Sequence, residues 1–232
     1  MTESNEILDQ KILKNLWPYN QFKTLFPQTP QNYNRETLRT SFTIRKVFTS
    51  HGIWGIPCLE AIQDIKDFIN APKKALRRPE HNVLEVIGGT GYLSYWLQAH
   101  SNLDVICTDL QVEDTNWNTC TSKQWIPVES MKASEAICKY PGRTILASWI
   151  PYGGCEDGDD VKMLENMMPN QQLILIGERQ GGCCASDKFF KMLEKDFEFI
   201  KTGRWVSAIG INDYLGFFKK KTSLVFGTSG LL

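Results

Sequence analysis

The sequence predicts an α/β protein with a doubly wound, mostly parallel sheet of seven strands, an antiparallel terminal hairpin and a helical N-terminal extension. Two observations predict this fold class. From residue 83 onward, short apolar runs typical of buried strands alternate with segments that have the apolar spacing of helices. The last two strand-like runs have no helix between them, so we expect those two strands to pair antiparallel.

The alternation defines each element in turn. The seven expected strands are, in order, NVLEVI, LDVICTDL, WIPVES, GRTILASWI, QLILIGE, FEFIKTGRW and DYLGFFKKK. The four expected intervening helices are YLSYWLQAH, MKASEAICKY, DDVKMLENMM and SDKFFKMLEKD. Apolar strands separated by helices of this length predict a parallel sheet that is covered by helices on both faces.

The chain divides into three predicted parts. Residues 1–50 are expected to form an extension of helix and loop, residues 51–222 a single domain, and residues 223–232 a flexible tail. In the extension, ILDQKILKNLW has helical spacing and Pro18 ends it. A second helix is expected after Pro57, with an apolar stripe of Leu59, Ile62, Ile65, Phe68 and Ile69.

Composition excludes several classes of function. Lys plus Arg and Asp plus Glu each total 26, so the formal net charge is zero and no nucleic-acid partner is favoured. Seven cysteines without a C-x-x-C pair and three histidines favour reduced thiols over a disulfide framework or a metal site. The N-terminus has charged residues where a signal peptide needs an apolar run, and no apolar stretch is long enough to span a membrane. We therefore expect a soluble, cytoplasmic protein without a metal.

A glycine-rich turn follows the first predicted strand. Gly88, Gly89 and Gly91 lie within four positions, and Asp109 ends the next strand. In doubly wound sheets such a turn lets the backbone approach a ligand closely, and an acid on the second strand accepts hydrogen bonds from ribose hydroxyls. The pattern predicts a cofactor that contains adenosine. It leaves two types open, a nicotinamide dinucleotide and S-adenosylmethionine.

The segment VLEVIGGTG resembles the first motif of the class I S-adenosylmethionine-dependent methyltransferases, E-x-G-x-G-x-G. Glu85 takes the place of the motif's acid, and Gly89 and Gly91 match its second and third glycines. Ile87 stands where the first glycine belongs. The resemblance implies a Rossmann-like methyltransferase fold and places Glu85, Gly88, Gly89 and Gly91 at the cofactor.

The same resemblance extends along the chain. It implies that Asp109 binds the cofactor's ribose, and that Glu129 and Ser130, in the segment VESM, line the adenine pocket. A dehydrogenase would need further substrate-domain residues or a Y-x-x-x-K pair after the glycine turn, whereas the pair in this chain, Tyr19 to Lys23, precedes that turn. S-adenosylmethionine is therefore the expected cofactor.

The segment ASWIPYGG follows the fourth strand and is similar to the N/D-P-P-Y motif of amino-group methyltransferases. Pro151 and Tyr152 match that motif and are implied to wall the methyl path, while Trp149 and Ile150 replace its first two members. Trp149 cannot accept a hydrogen bond, because an indole is only a donor.

Glu178 ends the fifth strand, in the segment IGERQGGCC, and is predicted to emerge at the same edge of the sheet. Two interpretations are open: Glu178 orients or deprotonates the methyl acceptor, or it is a structural acid that binds backbone N–H groups of its loop. Together with a late acid such as Asp213, these segments resemble a little-characterised branch of methyltransferase-like proteins.

The expected function is methyl transfer from S-adenosylmethionine to a small molecule or an exposed peptide group. Two alternatives are kept. One is a methyltransferase fold that binds without turnover, which the residues Ile87 and Trp149 motivate. The other is an oxidoreductase that uses the same glycine turn for a nucleotide cofactor.

Overall fold

A computed structural model describes residues 12–26, 34–71, 82–110 and 124–222. These residues form one mixed sheet of seven strands and seven α-helices. The strands are β1 (Asn82–Val86), β2 (Asp104–Asp109), β3 (Glu129–Ser130), β4 (Thr144–Ser148), β5 (Gln172–Glu178), β6 (Phe197–Thr202) and β7 (Asp213–Lys220). The helices are α1 (Tyr19–Leu25), α2 (Arg35–Thr49), α3 (Leu59–Asn70), α4 (Tyr92–His100), α5 (Ala133–Lys139), α6 (Asp159–Asn166) and α7 (Asp187–Asp196).

The strand order is β3-β2-β1-β4-β5-β7-β6. Strands β1 to β5 pair in parallel, and β7 pairs antiparallel with both β5 and β6. This confirms the predicted doubly wound, mostly parallel, Rossmann-like sheet with its reversed terminal strands. The order reverses between β1 and β4, and ligands of such sheets bind outside the carboxyl ends of the strands at that point.

Each face of the sheet carries its own hydrophobic core. One core joins the N-terminal helices, α3 and α4 to strand residues such as Val83, Leu146 and Ile174. The other joins α5, α6 and α7 to the alternating strand residues, including Leu84 and Ile145. The alternation follows from the two-residue period of a strand, which sends neighbouring side chains to opposite faces.

The extension is helical where it is described, and it belongs to the first core. Leu13, Phe22 and Phe48 are all buried there, packed with residues of the sheet. Helix α2 was not singled out from the sequence, although its start carries a capping box. The Asn34 side chain accepts from the Thr37 N–H at 2.8 Å, and the Thr37 hydroxyl accepts from the Asn34 N–H at 3.0 Å.

Helix α3 buries four of the five residues of its predicted stripe, and Leu59, at its first turn, is instead 39% exposed. The first part of the predicted N-terminal helix and the predicted tail, residues 223–232, lie outside the described residues. The three-part division of the chain stays a prediction. Among the described helices, none is long and apolar enough to cross a membrane.

Candidate active site

The glycine turn and the acid of β2 meet directly. The turn begins after β1 ends at Val86, and helix α4 begins at Tyr92. The Gly89 N–H donates to Oδ2 of Asp109 at 2.8 Å. Strands β1 and β2 are parallel neighbours, so their carboxyl ends lie together and bring these two predicted site residues into contact.

The packing explains two of the three glycines. A Cβ on Gly88 would lie 2.4 Å from Sγ of Cys107, which leaves no room for a side chain. Gly91 has φ +75°, and a Cβ there would lie 2.7 Å from Cγ1 of Ile126. Gly89 has φ +57°, in the left-handed region that favours glycine. The turn is therefore held tightly against the protein interior on one side.

Ile87 has φ +57°, in the left-handed region. A β-branched residue there is an outlier and costs on the order of 1–3 kcal/mol. Its side chain packs against the core beside α5 to α7. The backbone thus keeps the conformation of the glycine that the resemblance places at this position, and the packed side chain offsets part of the strain.

Glu85 lies beneath the turn, 1% exposed. Its Oε2 accepts from the Ser94 N–H at 3.1 Å, from the Ser94 hydroxyl, and from the Cys107 thiol at 3.6 Å. Burial raises the pKa of Glu85 to about 7, against the opposing effect of these donors. The structure therefore places this predicted cofactor residue inside the protein, where it braces the first turn of α4.

Strand β3 separates its two predicted site residues. The register pairs Ser130 with Asp109, and the Ser130 hydroxyl donates to the Leu110 carbonyl at 3.2 Å. Glu129 instead binds Lys139 at 2.9 Å and the Tyr140 hydroxyl at 2.6 Å, both at the end of α5. Of these two residues, Ser130 adjoins the turn, and the Glu129 carboxylate is committed to a surface ion pair.

The segment after β4 brings a tryptophan to the same edge of the sheet. Trp149 has φ +53°, and its backbone N–H donates to the Ile176 carbonyl at 2.8 Å. Ile150 is buried among the helices on the other face. Pro151 is exposed, and Tyr152 is 77% exposed. The structure thus places the two residues that match the family motif at the surface and turns Trp149 inward.

Both carboxylate oxygens of Glu178 accept from backbone. Oε1 accepts from the Asn212 N–H at 2.8 Å, and Oε2 accepts from the Cys183 N–H at 2.6 Å. Burial opposes ionisation, but these two donors and the charge of Arg45 outweigh it, so the pKa of Glu178 is lowered. This geometry matches the interpretation of Glu178 as a structural acid that ties two loops together.

Asp213 is the residue that the sequence left without a role. It begins β7, pairs in register with Glu178 and is 9% exposed. Its Oδ2 accepts from Nε1 of Trp149 at 3.3 Å, and its Oδ1 has no hydrogen-bond partner among the described residues. Burial raises the pKa of Asp213, opposed by nearby donors and by Arg45. The sequence does carry a feature that could have indicated a role for Asp213, because it is an acid at the start of a largely apolar strand.

The N-terminal extension covers this edge of the sheet. The Arg45 guanidinium of α2 lies 5.5 Å from the centre of the Trp149 ring and 6.0 Å from that of Trp54. The two indole rings are 6.0 Å apart. Close packing fixes the segment that carries Trp54, because a Cβ on Gly55 would lie 2.6 Å from Oγ of Ser148.

Comparisons with known proteins give structural similarity alone. No protein-family model and no curated protein matches the sequence. The fold is similar to that of TrmN from Thermus thermophilus, with 16% identity, a TM-score of 0.44, and coverage of 69% of this chain and 48% of TrmN. The chain thus spans about half the length of TrmN.

Two further solved structures are similar. A 1,6-didemethyltoxoflavin-N1-methyltransferase from Burkholderia thailandensis, with bound 1,6-didemethyltoxoflavin and S-adenosylhomocysteine, has 14% identity, a TM-score of 0.42, and coverage of 61% of this chain and 71% of that one. A mutant of MtNAS has 10% identity and a TM-score of 0.46, with coverage of 92% of this chain and 69% of MtNAS. Identities and TM-scores this low carry no function across, so the proposal below rests on the site's own residues.

Proposed function

We propose that this chain transfers a methyl group from S-adenosylmethionine to a small-molecule acceptor. One observation carries the proposal: the hydrogen bond of 2.8 Å between the Gly89 N–H and the Asp109 carboxylate. It joins the glycine turn after β1 to the acid that ends β2, next to the point where the strand order reverses. Cofactors with a ribose bind at this place in doubly wound sheets.

The residues at the turn fit this cofactor. The Asp109 carboxylate lies at the carboxyl end of β2, where an acid accepts from ribose hydroxyls. The Thr90 hydroxyl, within the turn, is buried and has no hydrogen-bond partner among the described residues. A buried hydroxyl without a partner is costly, and a polar ligand group at the turn would relieve that cost. Ser130 lies beside Asp109 and completes this side of the site.

The same turn disfavours a dinucleotide. A pyrophosphate binds at the N-terminus of the helix after the turn, through free N–H groups and the helix dipole. In this chain the backbone N–H of Ser94, in the first turn of α4, already donates to the buried Glu85 carboxylate and is not free for a pyrophosphate. Ser94 also occupies the position of the third glycine of the dinucleotide motif. These contacts favour S-adenosylmethionine over a nicotinamide cofactor.

When bound, S-adenosylmethionine supplies an electrophilic methyl group on a sulfonium. The chain's own contribution is to hold an acceptor beside it and to exclude water. The segment from Gly52 to Gly55 lies across the edge: a Cβ on Gly89 would be 3.4 Å from the Gly52 carbonyl oxygen, and Gly55 packs on Ser148. We assign the paired rings of Trp54 and Trp149 to the wall nearest the acceptor, and the exposed residues Pro151 and Tyr152 to its rim.

The test is thermal unfolding of the purified chain with S-adenosylmethionine, S-adenosylhomocysteine, NAD or NADP. A ligand at 100 times its dissociation constant stabilises by about 2.7 kcal/mol, which raises the midpoint by roughly 5–10 °C for a chain of this size. We expect a rise with the two adenosyl-sulfur compounds alone. A rise with NAD or NADP instead, or with none of the four, would overturn the proposal.

A further inference from the structure

Arg45 presents an unused set of hydrogen-bond donors at the carboxyl edge of the sheet. Its side chain is half-buried, and its guanidinium makes no hydrogen bond or ion pair with any residue in the described part of the chain. Its contacts are the faces of Trp54 and Trp149. A guanidinium stacked on rings keeps its N–H groups at its edge, in a fork that matches a carboxylate or a phosphate.

Asp213 presents an unused acceptor on the other side of the same tryptophan. Its Oδ1 has no hydrogen-bond partner within the described ranges, and it is buried. Nε1 of Trp205, also buried, is likewise unpaired among these residues. Trp149 donates to Oδ2, and Trp205 and Ser207 lie close enough to the carboxyl group to lower its pKa, but Oδ1 makes no hydrogen bond of normal geometry within the described ranges. A buried carboxyl oxygen left without a donor is a strong reason to expect one from a ligand.

Trp149 connects these two groups. Its ring face contacts Arg45, and its Nε1 donates to Asp213. The donor fork and the unpaired acceptor are thus separated by one indole ring. The charge of Arg45 also acts on both Asp213 and Glu178, so the three groups share one electrostatic environment.

We propose that Arg45 and Asp213 are the two ends of one binding site for a small molecule that carries an anionic group and an amine or hydroxyl. Arg45 binds the anionic group through two parallel hydrogen bonds, and Asp213 accepts from the amine or hydroxyl. Trp149 lies along the molecule between them. This inference rests on the proposed function in one respect, since it identifies the bound molecule as the methyl acceptor.

The test measures binding by calorimetry with cofactor-free protein and four probes. Two probes carry both groups, 4-aminobenzoate with a carboxylate and 4-aminophenyl phosphate with a phosphate, and two carry one group, benzoate and aniline. We expect at least one two-group probe to bind about 10- to 100-fold more tightly than both one-group probes, the usual effect of a hydrogen bond to a charged group. The tighter of the two-group probes identifies the anionic group.

Variants assign the two ends. Arg45→Gln should reduce affinity for the two-group probe to that for aniline, and Arg45→Lys should restore it in part, because an ammonium lacks the fork. Asp213→Asn keeps an oxygen that accepts from Trp149 but loses the second carboxylate oxygen. In this variant the two-group probe should therefore bind no more tightly than benzoate. The matched control is Arg39→Gln, an exposed arginine of the same helix, which should change nothing.

The outcomes separate this inference from the proposed function. Equal affinities for all four probes, no binding of either two-group probe, or unchanged binding in Arg45→Gln would each overturn the two-ended site. S-adenosylhomocysteine is titrated in parallel. If S-adenosylhomocysteine binds but Arg45 and Asp213 have no effect on probe binding, the proposed function stands and the two-ended site is wrong. If the probes bind as expected but S-adenosylhomocysteine does not, the two-ended site stands and the proposed methyl transfer is wrong.

Discussion

Glu178 and Asp213 lie directly opposite each other on β5 and β7, and their surroundings move their pKa values in opposite directions. Glu178 is held ionised by two backbone N–H groups, whereas burial disfavours the charge of Asp213. Paired acids with separated pKa values commonly divide their work, one as a fixed charge and the other as the group that exchanges a proton. In this site the fixed charge is Glu178.

Replacing Glu178 tests its structural role. In Glu178→Gln, an amide NH₂ replaces one of the two oxygens and faces a backbone N–H of Cys183 or Asn212. We expect a loss of about 1–3 kcal/mol in the free energy of unfolding, measured with urea. The control is Glu194→Gln, at an exposed position of α7, with an effect below about 0.5 kcal/mol. Equal stability of the two variants would show that the carboxylate does not tie the loops together.

Glu85 makes stability depend on pH. Its pKa rises from an ordinary 4.5 to about 7 in the folded chain, so the folded state binds a proton more tightly than the unfolded state. Stability from this group is complete below about pH 4.5 and is lost as the pH rises through about 7. The total loss is about 3 kcal/mol, and the curve is flat above that window.

Glu85→Gln isolates this effect, because glutamine mimics the protonated acid. Urea unfolding at about pH 5 and about pH 8 should show the wild type losing stability relative to the variant as the pH rises. A constant difference between the two proteins across that range would mean that Glu85 keeps an ordinary pKa.

Ile87 allows a test of backbone strain. Alanine normally stabilises more than glycine, but at φ +57° a side chain is strained and glycine is not. We expect Ile87→Gly to be more stable than Ile87→Ala by about 1 kcal/mol in urea unfolding. The usual order, with alanine the more stable, would show that residue 87 adopts a different conformation.

The sequence predicted those helices and strands whose apolar residues recur with a regular spacing. The buried strands and amphipathic helices from residue 82 to residue 220 follow from alternating apolar runs, and the reversed ending follows from the missing helix between β6 and β7. Helix α2 was missed because its signal, a capping box at Asn34, lies beside polar residues typical of a loop. Because helix α2 was not predicted, Arg45, which this helix brings to the site, was not identified as a site residue.

The site was harder to predict because it depends on contacts across the fold. Glu85 and Glu178 are both acids at strand positions, yet one braces a helix and the other binds two loops. No spacing in the sequence indicates that Asp213 has an unpaired oxygen or that Trp149 reaches it. By contrast, Gly89 and Asp109 were predicted to lie at one site, and the structure joins them, because the ends of neighbouring parallel strands must meet.

Calorimetric titration of S-adenosylhomocysteine tests the central claim most directly, with the wild type, Asp109→Ala and Asp109→Asn. Asparagine keeps an oxygen for the Gly89 N–H, so a loss shared by both variants reports the carboxylate and not a distorted turn. We predict one bound molecule per wild-type chain and a loss in affinity of at least roughly 100-fold in both variants, the lower end of the effect of two hydrogen bonds to a charged acceptor. No binding by the wild type, or unchanged binding in Asp109→Ala, would contradict it.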